Sequence, residues 1–146
     1  MIKKTDTIYF HLINTLAHTD SNCSVKLLGV HLDSKLNWNA HTVQLCKKLS
    51  RVIFLLRKLK TCTSKKILIT AYYAFFHTHL MYGIMLWGNS TGAKTVFKWQ
   101  KKVLRVITGM SERESCRHTF KDLKIMTVPS LYILNCLLYV KENYHN

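Results

Sequence analysis

Acidic residues are scarce in this chain, and a long central stretch has none. The sequence of 146 residues carries 22 lysines and arginines against seven aspartates and glutamates, a formal net charge of +15. The 78 residues between Asp33 and Glu112 hold 14 of the basic side chains and no acidic one. Because phosphates displace counterions on such a surface, this segregation favours a polyanionic partner, with nucleic acid as the leading class. The alternative is that the lysines only keep a small protein soluble.

Proline, glycine and paired cysteines are also few. One proline and five glycines leave no interdomain linker, and a hydrophobic content of 48% predicts a single core. The five cysteines form no Cys-x-x-Cys pair, and no cysteine or histidine spacing is typical of structural zinc, so we expect no metal site. An odd cysteine count without a secretory signal predicts reduced thiols and an intracellular location, nuclear or cytoplasmic.

Two basic amphipathic helices are predicted, over residues 40–60 and 93–108. Apolar residues recur at the helical period in both, Asn39 is a plausible N-cap of the first, and Gly109 is the expected end of the second. The basic residues fall mostly on the opposite faces, where they are either phosphate contacts or simply a solvated surface. The candidate nucleic-acid-binding residues are Lys47, Lys48, Arg51, Lys58, Lys94, Lys98, Lys101, Lys102 and Arg105.

An uncharged stretch lies between these helices. Residues 67–87 contain no Asp, Glu, Lys or Arg, and 21 residues are enough to cross a bilayer as a helix. His77, His79 and several tyrosines reduce the apolarity, so a buried central helix interrupted at Gly83 is favoured over a membrane span. A small membrane-associated protein remains the third alternative for the function.

The rest of the chain completes a mostly α prediction. Residues 25–32 resemble a short buried strand around Gly29, and turn chemistry follows at Asp33. A short helix over 116–123 and a last helix with Pro129 in its first turn are expected near the carboxyl end. We therefore predict a short N-terminal β hairpin followed by a small bundle of four to five helices, with a boundary between residues 1–38 and 39–146.

Several motifs, in order, resemble one protein family. They are Lys3-Lys4-Thr5, then Lys26-Leu27-Leu28-Gly29-Val30 through Trp38 and His41, then Tyr72-Tyr73, Tyr82-Gly83 and Trp87-Gly88, then Gln100-Lys101 with Arg105. Together they resemble the carboxyl-terminal part of reverse transcriptases encoded by jockey-type non-LTR retrotransposons. The resemblance implies that residues 1–38 are a remnant of the palm edge and that residues 39–146 are thumb-like.

The same resemblance implies specific roles and one absence. Lys4 corresponds to the lysine that follows the catalytic aspartates, and Leu28, Gly29 and Val30 correspond to the strand that supports the primer. The family's polymerases hold two metal ions on aspartates, including an Asp-Asp pair, and this chain has no such pair. We therefore expect no catalytic residue and no cofactor here, because Mg²⁺ would belong to the missing palm.

The implied function is that of a mobile-element RNA-directed DNA polymerase fragment that is inactive by itself. Its expected partners are an RNA–DNA hybrid or another duplex nucleic acid, and also the missing polymerase domains. A second hypothesis is a non-catalytic nucleic-acid-binding module that the host has retained.

Overall fold

A computed structural model describes residues 24–33 and 35–144, and it confirms the mostly α fold with an N-terminal hairpin. Lys4 lies outside the described residues. The strands are β1 (Ser24–Leu27) and β2 (Val30–Asp33). The helices are α1 (Asn39–Lys60), α2 (Lys65–Ala71), α3 (Thr78–Met81), α4 (Ile84–Trp87), α5 (Ala93–Thr108), α6 (Arg117–Asp122) and α7 (Val128–Asn143). A π-helical segment, Tyr72–His77, joins α2 to α3 without a break.

The hairpin corrects the prediction of one strand running through Gly29. β1 and β2 pair antiparallel, from Ser24 opposite Asp33 to Leu27 opposite Val30, and Leu28 and Gly29 form the two-residue turn. Both turn residues have positive φ, 46° and 83°, as a type I′ hairpin turn requires. Glycine is therefore needed at position 29 for its conformation in the turn. Of the three residues that were matched to the primer-supporting strand, only Val30 lies in a strand.

Helices α1 and α5 run side by side in the same direction. At their amino ends, the Thr91 hydroxyl donates to the Asn39 side-chain oxygen at 3.2 Å. At their carboxyl ends, a Cβ built on Gly109 would lie 3.1 Å from the Lys60 ammonium. The apolar face of α1 packs into the core through Leu45, Leu49, Val52, Ile53 and Leu56.

The expected N-cap of α1, Asn39, is wrong by one residue. Trp38 precedes the helix in the left-handed conformation, with φ 64°, and makes no side-chain capping bond. The Asn37 side-chain oxygen instead accepts the Asn39 backbone N–H at 2.9 Å. Asn39 is the first helical residue, so its side chain is free to bond Thr91 rather than its own helix. The predicted positions of Gly109 and Pro129 are confirmed at the end of α5 and in the first turn of α7.

The uncharged stretch forms the central helix as predicted. Leu68, Tyr72, Phe76 and Leu80 are spaced four residues apart and all are fully buried. In a regular α-helix, side chains four residues apart drift around the helix axis because one turn takes about 3.6 residues. The wider turns of the π-helical segment compensate for this drift, so these four side chains stay on one face. Gly83, with φ 62°, ends this segment before α4. Within residues 24–33 and 35–144, no helix is both long enough and apolar enough to span a membrane.

Candidate nucleic-acid interface

The parallel pair of α1 and α5 forms a surface with two cavities that carry cationic side chains. At its amino end, Lys47 lines a cavity of about 420 Å³ together with Trp99. At its carboxyl end, a second cavity of about 390 Å³ is lined by Lys60, Lys98, Lys102 and Arg105, and also by the acidic Glu112. We call this surface the α1/α5 groove and define it by Lys47, Lys60, Lys98, Lys102 and Trp99.

The other predicted binding residues are distributed over different surfaces. Lys48 lies on the opposite flank of α1 and lines a cavity with histidines from the hairpin and α3. Arg51, Lys58 and Lys94 are exposed on the outer faces of α1 and α5. Lys101 points away from the groove, with its ammonium 4.4 Å from the centroid of the Phe97 ring. The structure therefore brings together only part of the predicted set.

Arg105 has a structural partner that the sequence did not suggest. Its Nη2 donates to the Glu114 backbone oxygen at 3.0 Å, and its Nε is buried without a hydrogen-bond partner. The side chain is half-buried and lines both the carboxyl-end cavity of the groove and a larger cavity beyond it. Arg105 thus fixes the segment that follows α5, and only part of its guanidinium is available to a phosphate.

Lys60 is a groove residue that the sequence reasoning missed. It ends α1, and its ammonium lies beside Gly109, where α5 ends with a run of backbone carbonyls. A cation at this end of a helix is stabilised by the helix dipole. No local pattern identifies Lys60, because its position depends on the parallel packing of two helices that are separated by the whole central segment.

Trp99 gives the groove an aromatic floor. It is partly buried against the core, and the Lys102 ammonium lies 5.0 Å from its ring centroid. Such a cation–π contact holds the ammonium at the surface without neutralising it. Lys102 therefore keeps its charge available to an anion in the groove.

Gln100 is the polar centre of the fold rather than a surface residue. It has no solvent exposure, its Nε2 donates to the Tyr72 hydroxyl at 3.1 Å and to the Met126 carbonyl at 2.8 Å, and its Oε1 accepts the Val128 N–H at 2.9 Å. Burial raises the pKa of the Tyr72 hydroxyl to about 12, while its hydrogen bond with Gln100 acts in the opposite direction. Gln100 thereby joins the central helix and α5 to the start of α7.

The aromatic–glycine motifs also have structural roles. The Tyr82 hydroxyl donates to the Leu28 carbonyl, which ties the hairpin turn to the helical part. The indole N–H of Trp87, a fully buried residue, donates to the Tyr82 carbonyl at 3.0 Å. A Cβ on Gly88 would lie 2.5 Å from the Ile84 carbonyl oxygen and 2.6 Å from the Tyr132 ring, so the backbone of α4 and the packing of α7 both require glycine here. The motifs therefore describe how the helices fit together.

Histidines line a cavity of about 390 Å³ between the hairpin and the helices. His31, His41 and His79 surround it together with Lys48. The His31 backbone N–H donates to Nδ1 of the buried His41 at 3.4 Å. Burial, with added repulsion from His31 and Lys48, lowers the pKa of His41, and burial together with Lys48 lowers the pKa of His79. The folded protein therefore favours the neutral forms of His41 and His79.

In the part of the chain that the structure describes, no three His, Cys, Asp or Glu residues are placed to hold a metal ion. The arrangement offers cations and a groove, and these can bind and orient an anionic strand. No protein-family model, curated protein or solved structure matches the chain.

Proposed function

We propose that this chain is the thumb-side carboxyl-terminal part of an RNA-directed DNA polymerase from a non-LTR retrotransposon. Its role is to grip the phosphate backbone of a primer–template duplex, and it has no catalytic activity alone. The motif order supports the family, and the lack of an Asp-Asp pair supports the lack of catalysis. Metal-dependent nucleotidyl transfer would require the aspartates of a palm, and Mg²⁺ would be held there.

The α1/α5 groove is the observation that carries the proposal. Helix packing places Lys60 of α1 with Lys98 and Lys102 of α5 around one cavity, and Lys47 lines the other cavity of the pair. Glu112 is the acidic side chain among the residues that line these two cavities. A helix of 16 residues is about 24 Å long, which corresponds to about seven base-pair steps along the axis of a duplex. The charge of the groove therefore suits the phosphates that a duplex presents over such a length.

The chemistry of the groove suits positioning without base readout. Lysine ammonium groups contact phosphates as point charges and carry no sequence information. The exposed tip of the hairpin supplies a second contact in this proposal, because Leu28 is 80% exposed in a turn that Tyr82 holds against the helices. We keep the proposed role at the primer strand for Leu28, Gly29 and Val30. Leu28 and Gly29 would act there as the hairpin turn, and Val30 as the first residue of β2.

A binding experiment with matched variants tests this function. Affinity of the full chain for an RNA–DNA hybrid is compared with its affinity for duplex DNA and for neutral lipid vesicles. The variant Lys47→Gln/Lys98→Gln/Lys102→Gln is expected to lose about tenfold or more in hybrid affinity, because each lost phosphate contact weakens binding. The control Lys65→Gln/Lys66→Gln/Lys141→Gln removes the same charge at exposed positions away from the groove.

Two results would reject the proposal. If both variants lose the same affinity, only net charge matters and the groove has no special role. If the chain partitions into vesicles and binds no nucleic acid, the membrane alternative is correct. The polymerase origin is tested separately by the genomic DNA, where we expect a preceding coding region, intact or decayed, that contains an Asp-Asp hairpin.

A further inference from the structure

A cavity lies beyond the groove, between α5, α6 and the segment that joins them. Its volume is about 670 Å³, within the usual range of small-molecule sites. Five cationic side chains line it, which are Lys101, Arg105, Arg113, Arg117 and Lys121. Glu114 is the acidic residue in its lining. Three of these cations lie outside the acid-free stretch, and the proposed groove uses none of those three.

An aromatic pair forms the apolar wall of this cavity. The rings of Phe97 and Phe120 lie 5.9 Å apart between centroids, and the Lys101 ammonium sits 4.4 Å from the Phe97 ring. Phe97 is only half-buried, so part of its side chain faces the cavity. Cations beside an aromatic surface match the two parts of a nucleotide, which are a charged phosphate and a flat base.

Arg105 connects this cavity to the groove. Its side chain lines both spaces, and its guanidinium is held in place by the Glu114 carbonyl. A strand that follows the groove toward the carboxyl end of α5 would therefore reach the cavity next. A duplex is too wide to enter a space of this size, whereas a single nucleotide fits.

We propose that this cavity is a separate binding site for one nucleotide with an unpaired base. Arg113, Arg117 and Lys121 bind its phosphate, and the base lies against Phe97. The nucleotide is either free or the unpaired end of a strand held in the groove. The site goes beyond the proposed duplex grip and depends on different side chains.

The experiment uses the full chain and two pairs of probes. Fluorescence anisotropy compares a blunt RNA–DNA hybrid with the same hybrid carrying a short unpaired overhang. Calorimetry compares ATP with inorganic tripolyphosphate, which has the phosphates without a base. Stacking of one base on an aromatic side chain contributes substantially to the free energy of binding. We therefore expect the probe with the unpaired base to bind about fivefold or more tightly than its partner in at least one pair. Gain with the overhang alone identifies a strand end, and gain with ATP identifies a free nucleotide.

Variants test which side chains produce this increase in affinity. Arg113→Gln/Arg117→Gln should weaken binding of ATP and of tripolyphosphate alike and remove the gain from the overhang, because it removes phosphate contacts, and it should change affinity for the blunt hybrid by less than about twofold. The control Lys65→Gln/Lys66→Gln removes equal charge at exposed positions and should keep the gain. Phe97→Leu, checked for folding by urea denaturation, should reduce the gain while phosphate binding persists.

Clear outcomes would overturn the site. The site is rejected if the base adds no affinity in either pair, that is, if tripolyphosphate binds as tightly as ATP and the overhang hybrid binds no tighter than the blunt one. The Arg113→Gln/Arg117→Gln variant gives a further test. If its affinity for the blunt hybrid falls as much as its affinity for the overhang hybrid, a separate site is also rejected. If ATP binds and the blunt hybrid does not, the groove proposal fails while this site stands.

Discussion

At the scale of single residues, the positions that resemble family motifs are mainly those that assemble the helices. Gln100 shows this most clearly, since all of its described bonds join other elements and none faces solvent. In the sequence, Gln100 is recognisable only as part of the Gln-Lys motif that resembles the family. A buried amide whose donors and acceptor are all used cannot be inferred from periodicity, because the partners come from distant segments.

Replacing Gln100 with leucine should destabilise the protein strongly. The Met126 carbonyl, the Tyr72 hydroxyl and the Val128 N–H would lose their partner inside the core. Each buried polar group left without a bond costs about 1–3 kcal/mol, so a loss of about 3 kcal/mol or more in the free energy of unfolding is expected. Urea denaturation measures it. Gln44→Leu, at a half-buried site on α1, is the control and should change stability by about 0.5 kcal/mol or less.

Leu28 should be replaceable by asparagine with a gain in stability. Leu28 adopts φ 46° in a type I′ turn and is mostly exposed, so leucine is strained there and has little packing to lose. Asn-Gly is the preferred pair for this turn, and we expect the free energy of unfolding to rise by about 0.5–1 kcal/mol. A loss of stability in urea denaturation would mean that the leucine side chain makes a contact that the turn needs.

Gly92 should not tolerate alanine. A Cβ at this position would lie 2.1 Å from the Thr42 hydroxyl oxygen, although the backbone conformation itself, with φ −69°, suits any residue. Overpacking of this kind costs about 1–3 kcal/mol. Thermal unfolding should show Gly92→Ala as destabilised and the double variant with Thr42→Ala as partly restored. Absence of any restoration would indicate that the clash is with the backbone of α1.

At the scale of elements, helices were predicted better than their contacts. The bounds of α5 and its glycine end follow from the local apolar period and from Gly109. The hairpin was predicted as a unit, but its turn was not, because Leu28 is an unusual residue for positive φ and masks the turn signal. The parallel pairing of α1 and α5 depends on a central segment that is too long to reveal it from sequence.

The docking of the hairpin on the helices should weaken in acid. Folding lowers the pKa values of His41, His77 and His79 below the ordinary value of 6.5, mainly because burial disfavours the charged form. The unfolded chain therefore binds protons first, and the stability present above pH 6.5 is lost as the pH falls below it. Urea denaturation at pH 7.5 and 5.5 should show this decrease.

His41 is the residue that links this pH dependence to the hairpin. Its Nδ1 accepts the His31 N–H, and protonation would remove that acceptor beside Lys48. His41→Gln should flatten the decrease in stability between the two pH values. An equally steep decrease in this variant would place the dependence elsewhere in the chain.

At the scale of the whole molecule, the distribution of charge is what distinguishes this protein. The sequence alone showed that the cations are segregated, but the folded chain divides them among the groove, the outer face of α1, the histidine cavity and the cavity beyond Arg105. The first of these has cationic cavities at both ends of a packed pair of helices. The central claim is that duplex nucleic acid is held in the α1/α5 groove.

The salt dependence of hybrid binding tests this claim most directly. The logarithm of the association constant is measured against the logarithm of salt concentration for the wild type and for Lys47→Gln/Lys98→Gln/Lys102→Gln. Each phosphate contact adds about 0.9 to the magnitude of the slope on a duplex, so the account predicts a steep wild-type slope that becomes shallower by about 2–3 in the variant. A slope that is the same in both proteins would show that the groove lysines contact no phosphate, and it would contradict the account.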